Sequence, residues 1–293
     1  MPPGPVVVCD PGVDDFVALL VMAGAGAAPA AIIGTAGNVD VELAFRNAVG
    51  IAGLLGLDCP VARGCSRGLT GAYPDTGEPF HGVDGLGGMA GLLPATPAPS
   101  SAPSPDPLPL VTGSLLVTGA LTIVAAALQA DQPVDRVVWM GGAVAGGGNM
   151  TAAAEFNAWL DPEACDLVLA SGVHLTMVPL DITHQVSFDP VELGVMAGLG
   201  ALAGLATHAC AHFHAKGAPL YPHDAVAAVA WLHPELFEWE ERWVRCELAG
   251  TWTRGMTVVD RRPDGVGGAV RIPVGVDVSA VKERIFEALR ALG

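Results

Sequence analysis

The chain has 293 residues, and 51% of them are hydrophobic, so a large apolar core is available to it. It holds 30 Asp and Glu residues but only 14 Lys and Arg residues, which gives a formal net charge of −16 at pH 7. This acidity argues against nucleic acid and anionic membranes as partners.

The six cysteines are scattered through the chain without a C-x-x-C pair. Such spacing is typical of reduced thiols rather than of a disulfide framework. The N-terminal residues MPPGPVVV contain no basic region and no long apolar segment, so we predict no signal peptide and expect a cytoplasmic protein. The uncharged stretches 16–39 and 193–215 are broken by Pro29 and glycines or carry histidines, so we predict no membrane span.

The first predicted strand, residues 6–8, leads into the segment CDPGVDD at 9–15. The pattern predicts a buried strand, a sharp Pro-Gly turn and the start of a helix. In an open α/β sheet, ligands bind at the carboxyl ends of the strands. Asp10, Asp14 and Asp15 are therefore candidate site residues.

These three carboxylates have no cation near them in sequence, since the first Lys or Arg is Arg46. Carboxylates that are brought together without a cation repel each other, and their pKa values rise. A hard divalent cation, which prefers oxygen ligands, would offset this charge. The alternative is a helix whose N-terminus is capped by Asp14 or Asp15 and that binds no metal.

Strand and helix patterns alternate along the rest of the chain, which is typical of βαβ units and a mainly parallel sheet. We predict the α/β class: an open, mainly parallel (mixed) sheet flanked by helices, in a single domain spanning 1–293. Residues 58–91 are irregular and glycine-rich, and the Pro-rich segment 94–109 is predicted to be an extended surface loop. Further strands are predicted at 31–36, 108–117, 134–140, 174–180, 243–249, 256–260 and 269–274, and further helices at 41–55, 118–129, 162–171, 190–214, 223–232 and 277–292.

Polar residues recur where the predicted strands end, in motifs that match a known family. The motifs are CDPGVDD (9–15), GN (37–38), HGVDGLG (81–87), TGALT (118–122), GNMTAAAEFNAWLDPEA (148–164), LDITHQ (180–185) and HDAVA (223–227). With them the chain resembles the nucleoside hydrolases of the inosine-uridine-preferring type over nearly its whole length. The resemblance implies a nucleoside hydrolase-like fold, a dimer or tetramer, and hydrolysis of the N-glycosidic bond of ribonucleosides to free nucleobase and ribose.

The resemblance also implies one Ca²⁺ ion and a role for each matching residue. The carboxylates of Asp10, Asp15 and Asp224 and the backbone carbonyl of Thr118 match the calcium ligands, an all-oxygen set of the kind Ca²⁺ prefers. Asp10 matches the general base that activates water, and His223 a residue that protonates or orients the leaving base. The residues that match substrate contacts are Asp14 and Asn157 at the 2′ and 3′ hydroxyls, Asn149 and Glu155 at the 5′ hydroxyl, Asn38 beside the base and the ribose, and Phe156 and His81 at the base.

Three positions depart from the family pattern. Val8 stands where the family has Asp, Ile123 where it has Asn, and Ala225 where it has Pro. Such residues orient the ligands, and losing them typically lowers metal affinity or activity by about 10–100-fold. The competing hypothesis is therefore a catalytically weak or inactive nucleoside- or ribose-binding protein of the same fold.

Several residues have simpler interpretations. Glu155 and Asn157 could cap the helix that begins near residue 162, and His223 and Asp224 could form an ordinary N-cap. His208 and His212, with His214 beside them, have the i, i+4 spacing of zinc ligands, but no third zinc ligand is obvious, so we predict one face of a helix. We predict that His184 is a supporting or core residue.

Overall fold

The computed structural model describes residues 4–74, 80–94, 106–215 and 219–293, with the backbone alone for 212–215. Within these residues a single sheet contains β1 (Val6–Cys9), β2 (Ala31–Gly34), β3 (Val61–Arg63), β4 (Gly113–Val117), β5 (Val134–Met140), β6 (His174–Val178), β7 (Phe237–Cys246), β8 (Thr257–Asp260) and β9 (Gly268–Val276). The helices are α1 (Val13–Gly24), α2 (Val41–Leu54), α3 (Thr122–Gln129), α4 (Phe156–Leu160), α5 (Pro162–Ala170), α6 (Leu180–Thr183), α7 (Pro190–Ala197), α8 (Ala201–Ala215), α9 (His223–Leu232) and α10 (Val278–Ala291).

The strand order is β3-β2-β1-β4-β5-β6-β9-β7-β8. The first seven strands in this order run parallel to one another, and β7 pairs antiparallel with both β9 and β8. The order reverses between β1 and β4, where chain connections leave in opposite directions and open a crevice at the strands' carboxyl ends. This topology confirms the predicted α/β class and mixed, mainly parallel sheet.

Both faces of the sheet are covered by apolar residues. Along β1, Val7 and Cys9 belong to the hydrophobic cluster that includes α1 and α9, whereas Val6 and Val8 belong to the cluster that includes α3 and α5. Successive side chains of a strand point to opposite faces, so a continuous apolar run is what a strand buried on both sides requires. The same run therefore fixes the position of the residue that follows it, Asp10.

The predicted strand start at residue 108, beside the proline-rich segment, is wrong. Residues Leu108–Leu110 form a 3₁₀ turn, and β4 begins only at Gly113. Pro107 and Pro109 have no N–H group to donate to a sheet, so an earlier strand start would lose ladder hydrogen bonds. Of the predicted surface loop, residues 95–105 lie outside the described residues.

Other elements differ from the predictions in extent. The helix predicted from residue 118 begins at Thr122, because residues 118–121 form the turn after β4. The helix predicted at 190–214 is two helices, α7 and α8, separated at Gly200, whose φ of 149° is outside the helical range. The short elements β3, α4 and α6 were not predicted, and β7 begins at Phe237 rather than at 243.

Candidate active site

The reversal in strand order brings Asp10, which follows β1, beside Thr118, which follows β4. Asn38 fixes the carboxylate of Asp10: its backbone N–H donates to Asp10 Oδ2 at 2.8 Å, and its side-chain Nδ2 donates to the Asp10 carbonyl at 3.1 Å. A Cβ atom at Gly37 would lie 1.9 Å from Asp10 Oδ2, so a side chain there would push the carboxylate out of place. The motif Gly37-Asn38 therefore shapes the position of Asp10.

The first turn of α1 supplies two further carboxylates, Asp14 and Asp15. Asp15 accepts a hydrogen bond from the Gly12 N–H at 2.8 Å and one from the Thr118 hydroxyl at 2.6 Å. Asp224, in the first turn of α9, joins them because α9 packs against α1. Oxygen atoms of Asp14, Asp15 and Asp224 lie within 4.8 Å of one another, and all three residues are buried.

Burial and mutual repulsion raise the pKa values of these carboxyl groups. Burial raises the pKa of Asp14 to about 6, and burial together with the charge of Asp14 raises that of Asp15 to about 6. The pKa of Asp10 is raised well above its usual range by burial and by Asp15, and that of Asp224 by burial and by Asp14. Among the ion pairs of the described residues, none joins a Lys or Arg to this cluster.

The donor chemistry of this cluster fits a hard divalent cation. Every candidate ligand atom is an oxygen, and within the described residues no Lys or Arg pairs with the carboxylates to balance their negative charge. The Thr118 carbonyl accepts a hydrogen bond from Asn157 Nδ2 at 3.0 Å, and its second lone pair can still bind a cation. The closest group of three contains Asp14, to which the resemblance assigns a ribose hydroxyl, rather than Asp10.

Asn157 has one buried oxygen without a partner. Its Nδ2 donates to the carbonyls of Thr118 and Met140, each at 3.0 Å, which fixes the orientation of the amide. Its Oδ1 is the one buried side-chain N or O atom of the described residues that has no hydrogen-bond partner. An unpaired buried acceptor is costly, and the side chain lines a cavity, so the atom is suited to bind a ligand hydroxyl.

Glu155 caps a helix, but not the one that the simpler interpretation gave it. Its carboxylate accepts hydrogen bonds from the N–H groups of Gly142, Asn157 and Ala158 and caps α4, whereas Asp161 caps α5. Burial raises the pKa of Glu155 to about 7. Asn149 also supports this turn, because its Oδ1 accepts a hydrogen bond from the Phe156 N–H at 2.9 Å.

These residues surround a cavity of about 450 Å³ at the carboxyl edge of the sheet. All of the predicted site residues line it except Asp15, which is buried. The predicted residues that line the cavity are Asp10, Asp14, Asn38, His81, Thr118, Asn149, Glu155, Phe156, Asn157, His223 and Asp224.

A second part of the cavity lining consists of imidazole and aromatic rings. His223 Nδ1 and the Thr183 hydroxyl are 2.7 Å apart, and the His184 ring lies 5.2 Å from the His223 ring and 4.9 Å from the Tyr221 ring. Burial and the neighbouring histidines His184 and His81 lower the pKa of His223 to about 3, so its ring is neutral at pH 7.

The sequence did not predict that several further residues line this part of the cavity. His184, expected only as a supporting residue, lines the cavity, as do Tyr221 and Phe80. The available signals were that Tyr221 stands two residues before His223 and that His184 follows a predicted strand end. His81 lies against the start of α1: its Nδ1 accepts a hydrogen bond from the Val13 N–H at 3.1 Å and lies 3.8 Å from Asp14 Oδ1.

The three positions that depart from the family pattern are buried and apolar. Val8 and Ile123 belong to the same hydrophobic cluster, and Ala225 lies within the first turn of α9. Of the histidines set aside in the sequence, His208 is exposed on α8, and the side chains of 212 and 214 lie outside the described residues. In the described part of the chain, no helix combines the length and apolar character needed to cross a membrane.

Comparison with known proteins decides the family. Residues 6–283 match the model of the inosine-uridine preferring nucleoside hydrolase family. The chain belongs to this family. It is 36% identical to the pyrimidine-specific ribonucleoside hydrolase of Shewanella baltica, with 96% of this chain and 94% of that protein covered. A pyrimidine-specific ribonucleoside hydrolase of Salmonella typhimurium is also 36% identical, with 87% and 88% covered.

Solved structures of nucleoside hydrolases share the fold over almost the whole length. A plant nucleoside hydrolase superimposes with a TM-score of 0.87 at 28% identity, with 99% of both chains covered. A purine-preferring ribonucleoside hydrolase from Gardnerella vaginalis gives a TM-score of 0.84 at 28% identity, with 98% of both chains covered. The chain is thus a ribonucleoside hydrolase, an N-glycosidase, by its family and its relatives.

Proposed function

We propose that this nucleoside hydrolase needs Ca²⁺ to hydrolyse the N-glycosidic bond of ribonucleosides, giving free nucleobase and ribose. The observation that carries the proposal is the buried group of Asp14, Asp15 and Asp224, whose oxygens lie within 4.8 Å of one another. Together with Asp10, these carboxylates need a positive charge that the described basic residues do not supply. A cation at this position would also meet the hydroxyls of a bound ribose.

The proposed calcium ligands are the carboxylates of Asp10, Asp15 and Asp224 and the backbone carbonyl of Thr118. A bound Ca²⁺ would neutralise their charge and make a neighbouring water molecule more acidic. The Thr118 hydroxyl donates to Asp15 and so holds one ligand in position. Supporting hydrogen bonds of this kind typically tune metal affinity.

Asp10 is the proposed general base. Asn38 holds its Oδ2 through a backbone hydrogen bond of 2.8 Å, so the carboxylate has a fixed orientation toward the cavity. In the proposed reaction, Asp10 accepts a proton from the attacking water. The water oxygen bonds to the anomeric carbon, and the electron pair of the broken C–N bond leaves with the base. An oxocarbenium-like transition state carries positive charge on the ribose, which nearby carboxylates stabilise.

The remaining predicted residues hold the substrate. Asp14 and the unpaired Oδ1 of Asn157 are proposed to bind the 2′ and 3′ hydroxyls, with Asn38 beside the ribose and the base. Asn149 and Glu155 are proposed at the 5′ hydroxyl. His223 is proposed to bind the leaving base, with Phe156 and His81 lining the base pocket.

Activity is favoured over a pure binding role. Val8 and Ile123 replace two polar residues of the family pattern and lie together in one hydrophobic cluster. Replacing both polar partners by apolar side chains can be nearly neutral, whereas removing only one leaves a buried group unpaired. We also propose pyrimidine nucleosides as the first substrates to test, because the relatives at 36% identity carry that specificity in their names. A homodimer or homotetramer, a cytoplasmic location and a single domain spanning 1–293 remain part of the proposal.

The test is release of reducing sugar from uridine, cytidine, inosine, adenosine and guanosine with Ca²⁺ present. The wild type is compared with Asp10→Asn and with Asp264→Asn, a matched control at an exposed carboxylate. We expect ribose release by the wild type and the control but not by Asp10→Asn. Nucleoside-dependent thermal stabilisation without any ribose release would instead support the binding role.

A further inference from the structure

We propose that Thr183 is a positioning residue for the hydrolysis: its hydroxyl holds the His223 ring so that the Nε2–H group faces the base end of the cavity, the part lined by His184, Tyr221 and His223. This inference rests on the proposed function, because it assigns His223 to the leaving base. It adds a residue outside the matched ligand and substrate positions, on the short helix α6.

The contact joins two elements that are distant in the chain. Thr183 is the last residue of α6 and is fully buried, and His223 is the first residue of α9. Thr183 Oγ1 and His223 Nδ1 lie 2.7 Å apart, across 40 positions of sequence. Since Nδ1 is occupied by this contact and His223 lines the cavity, Nε2 is the ring nitrogen left to meet a ligand.

The direction of the hydrogen bond follows from the donors available. The Thr183 hydroxyl has no hydrogen-bond partner other than His223 Nδ1 within the described residues. If Nδ1–H were the donor, the buried hydroxyl hydrogen would have no acceptor, and unmade buried donors are rare. The favoured arrangement is therefore a hydroxyl that donates to Nδ1, which places the ring proton on Nε2.

An Nε2–H group at this position has a defined task. When the C–N bond breaks, its electron pair moves onto the base, whose ring nitrogen and keto oxygen become more negative. A hydrogen-bond donor fixed in advance stabilises that charge without reorganising. His184 and Tyr221 pack against the His223 ring at 5.2 and 5.8 Å between ring centres, but neither has a described hydrogen bond to it. The Thr183 contact is thus the one that selects the tautomer.

The activity test uses two variants and two classes of substrate. Thr183→Val keeps the side-chain shape but removes the hydroxyl, and Thr183→Ser keeps the hydroxyl. The substrates are uridine or inosine and 4-nitrophenyl β-ribofuranoside, whose nitrophenolate leaves without help from a donor. Thr176→Val, a buried threonine on β6 outside the cavity lining, is the matched control.

We expect Thr183→Val to lower kcat/KM for nucleosides about 10-fold, the factor that corresponds to one hydrogen bond of ordinary strength. The nitrophenyl riboside should be hydrolysed at nearly the wild-type rate, and Thr183→Ser should restore nucleoside hydrolysis. In a His223→Ala background, Thr183→Val should cause no further loss. An equal loss on both substrate classes, or a further loss in that background, would overturn the inference.

Nitrogen-15 NMR of the His223 ring tests the tautomer without relying on turnover. The wild type should show protonated Nε2 and unprotonated Nδ1, and Thr183→Val should show a mixture of tautomers. A protonated Nδ1 in the wild type, or an unchanged ring in the variant, would refute the role of Thr183. If the wild type released no ribose from any nucleoside, the proposed function would fail, while the NMR result would still decide whether Thr183 sets the ring.

Discussion

The two ends of the cavity are built in different ways. The floor is formed by Asp10, Asp15 and Thr118, which follow β1 and β4 or start α1 where the strand order reverses, and all three are buried. The base end is formed by His184, which follows α6, by the start of α9, and by Phe80 and His81. There His184 is exposed, and Phe80 retains 60% of its side-chain accessibility.

Their chemistry differs as strongly as their construction. The floor presents oxygen atoms, and the pKa values of its carboxyl groups are raised, whereas the base end presents aromatic rings and the imidazole of His223, whose pKa is lowered to about 3. In the proposed function, the floor binds what every ribonucleoside shares, the ribose and the glycosidic carbon. The base end is proposed to bind what differs between nucleosides. We therefore expect floor variants to abolish turnover and base-end variants to change selectivity.

The largest effect is expected at Asp10. Asp10→Asn preserves the side-chain shape and can still accept the hydrogen bond from Asn38, but it removes the proposed general base. We predict that kcat falls about 10³-fold for every nucleoside tested. Initial rates of ribose release measure this loss, and circular dichroism checks the fold. A rate within tenfold of the wild type would exclude Asp10 as the base.

Asn157 should separate ribose recognition from base recognition. Asn157→Ala removes the unpaired Oδ1, and we predict a loss of about 100-fold in kcat/KM for ribonucleosides. The loss should be much smaller for whichever deoxynucleoside, 2′-deoxy or 3′-deoxy, lacks the hydroxyl that Asn157 binds. Equal losses for the ribonucleoside and both deoxy analogues would contradict this role.

The raised pKa values of the floor predict how stability depends on pH in metal-free protein. The folded pKa of Asp15 is about 6, above the value of about 3.9 for an unfolded Asp, so the folded state binds more protons between these values. The free energy of unfolding should therefore fall as the pH rises from about 4 to about 6. For one such group, the free energy of unfolding falls by about 3 kcal/mol in total across this interval.

Urea unfolding of wild type and Asp15→Asn across this pH range measures the effect. The metal-free variant should lose less stability than the wild type as the pH rises. Saturating Ca²⁺ should remove most of the wild-type loss, because the cation binds the ionised carboxylates. If the free energy of unfolding of the metal-free wild type instead rose with pH as that of Asp15→Asn does, repulsion among the carboxylates would not destabilise the floor.

Tyr221→Ala should give the smallest effect and should be confined to the base end. Loss of an aromatic contact with the base is worth about 1 kcal/mol. We expect the ratio of kcat/KM between uridine and inosine to change by up to about 5-fold, while the rate with 4-nitrophenyl riboside stays the same. A uniform loss on all three substrates would place Tyr221 in ribose positioning or in folding instead.

The same contrast explains how much the sequence could predict. The carboxylates Asp10, Asp14 and Asp15 were predictable because one short segment supplies the strand, the turn and the helix start. Asp224 and Thr118 are more than a hundred residues from Asp10, and only the resemblance to a family connected them. The alternating strand and helix patterns predicted that a single sheet carries the site.

The base end was less predictable because no local pattern marks it. The strand predicted at 174–180 ends at Val178, and the next residues form α6, which carries Thr183 and is followed by His184. A four-residue helix has too little periodicity to be recognised. Likewise, β7 begins six residues earlier than predicted. Its first half contains three glutamates, and because glutamate has low β propensity, the sequence pattern did not indicate a strand there.

The buried carboxylates are proposed to hold a calcium ion that catalysis requires. The most direct measurement is the calcium content of the protein by elemental analysis, together with uridine and inosine hydrolysis before chelation, after chelation and after Ca²⁺ is added back. We predict one Ca²⁺ per chain, a loss of at least about 100-fold on chelation, and recovery with Ca²⁺. Ribose release at the untreated rate by protein shown to be free of metal would contradict a requirement for calcium.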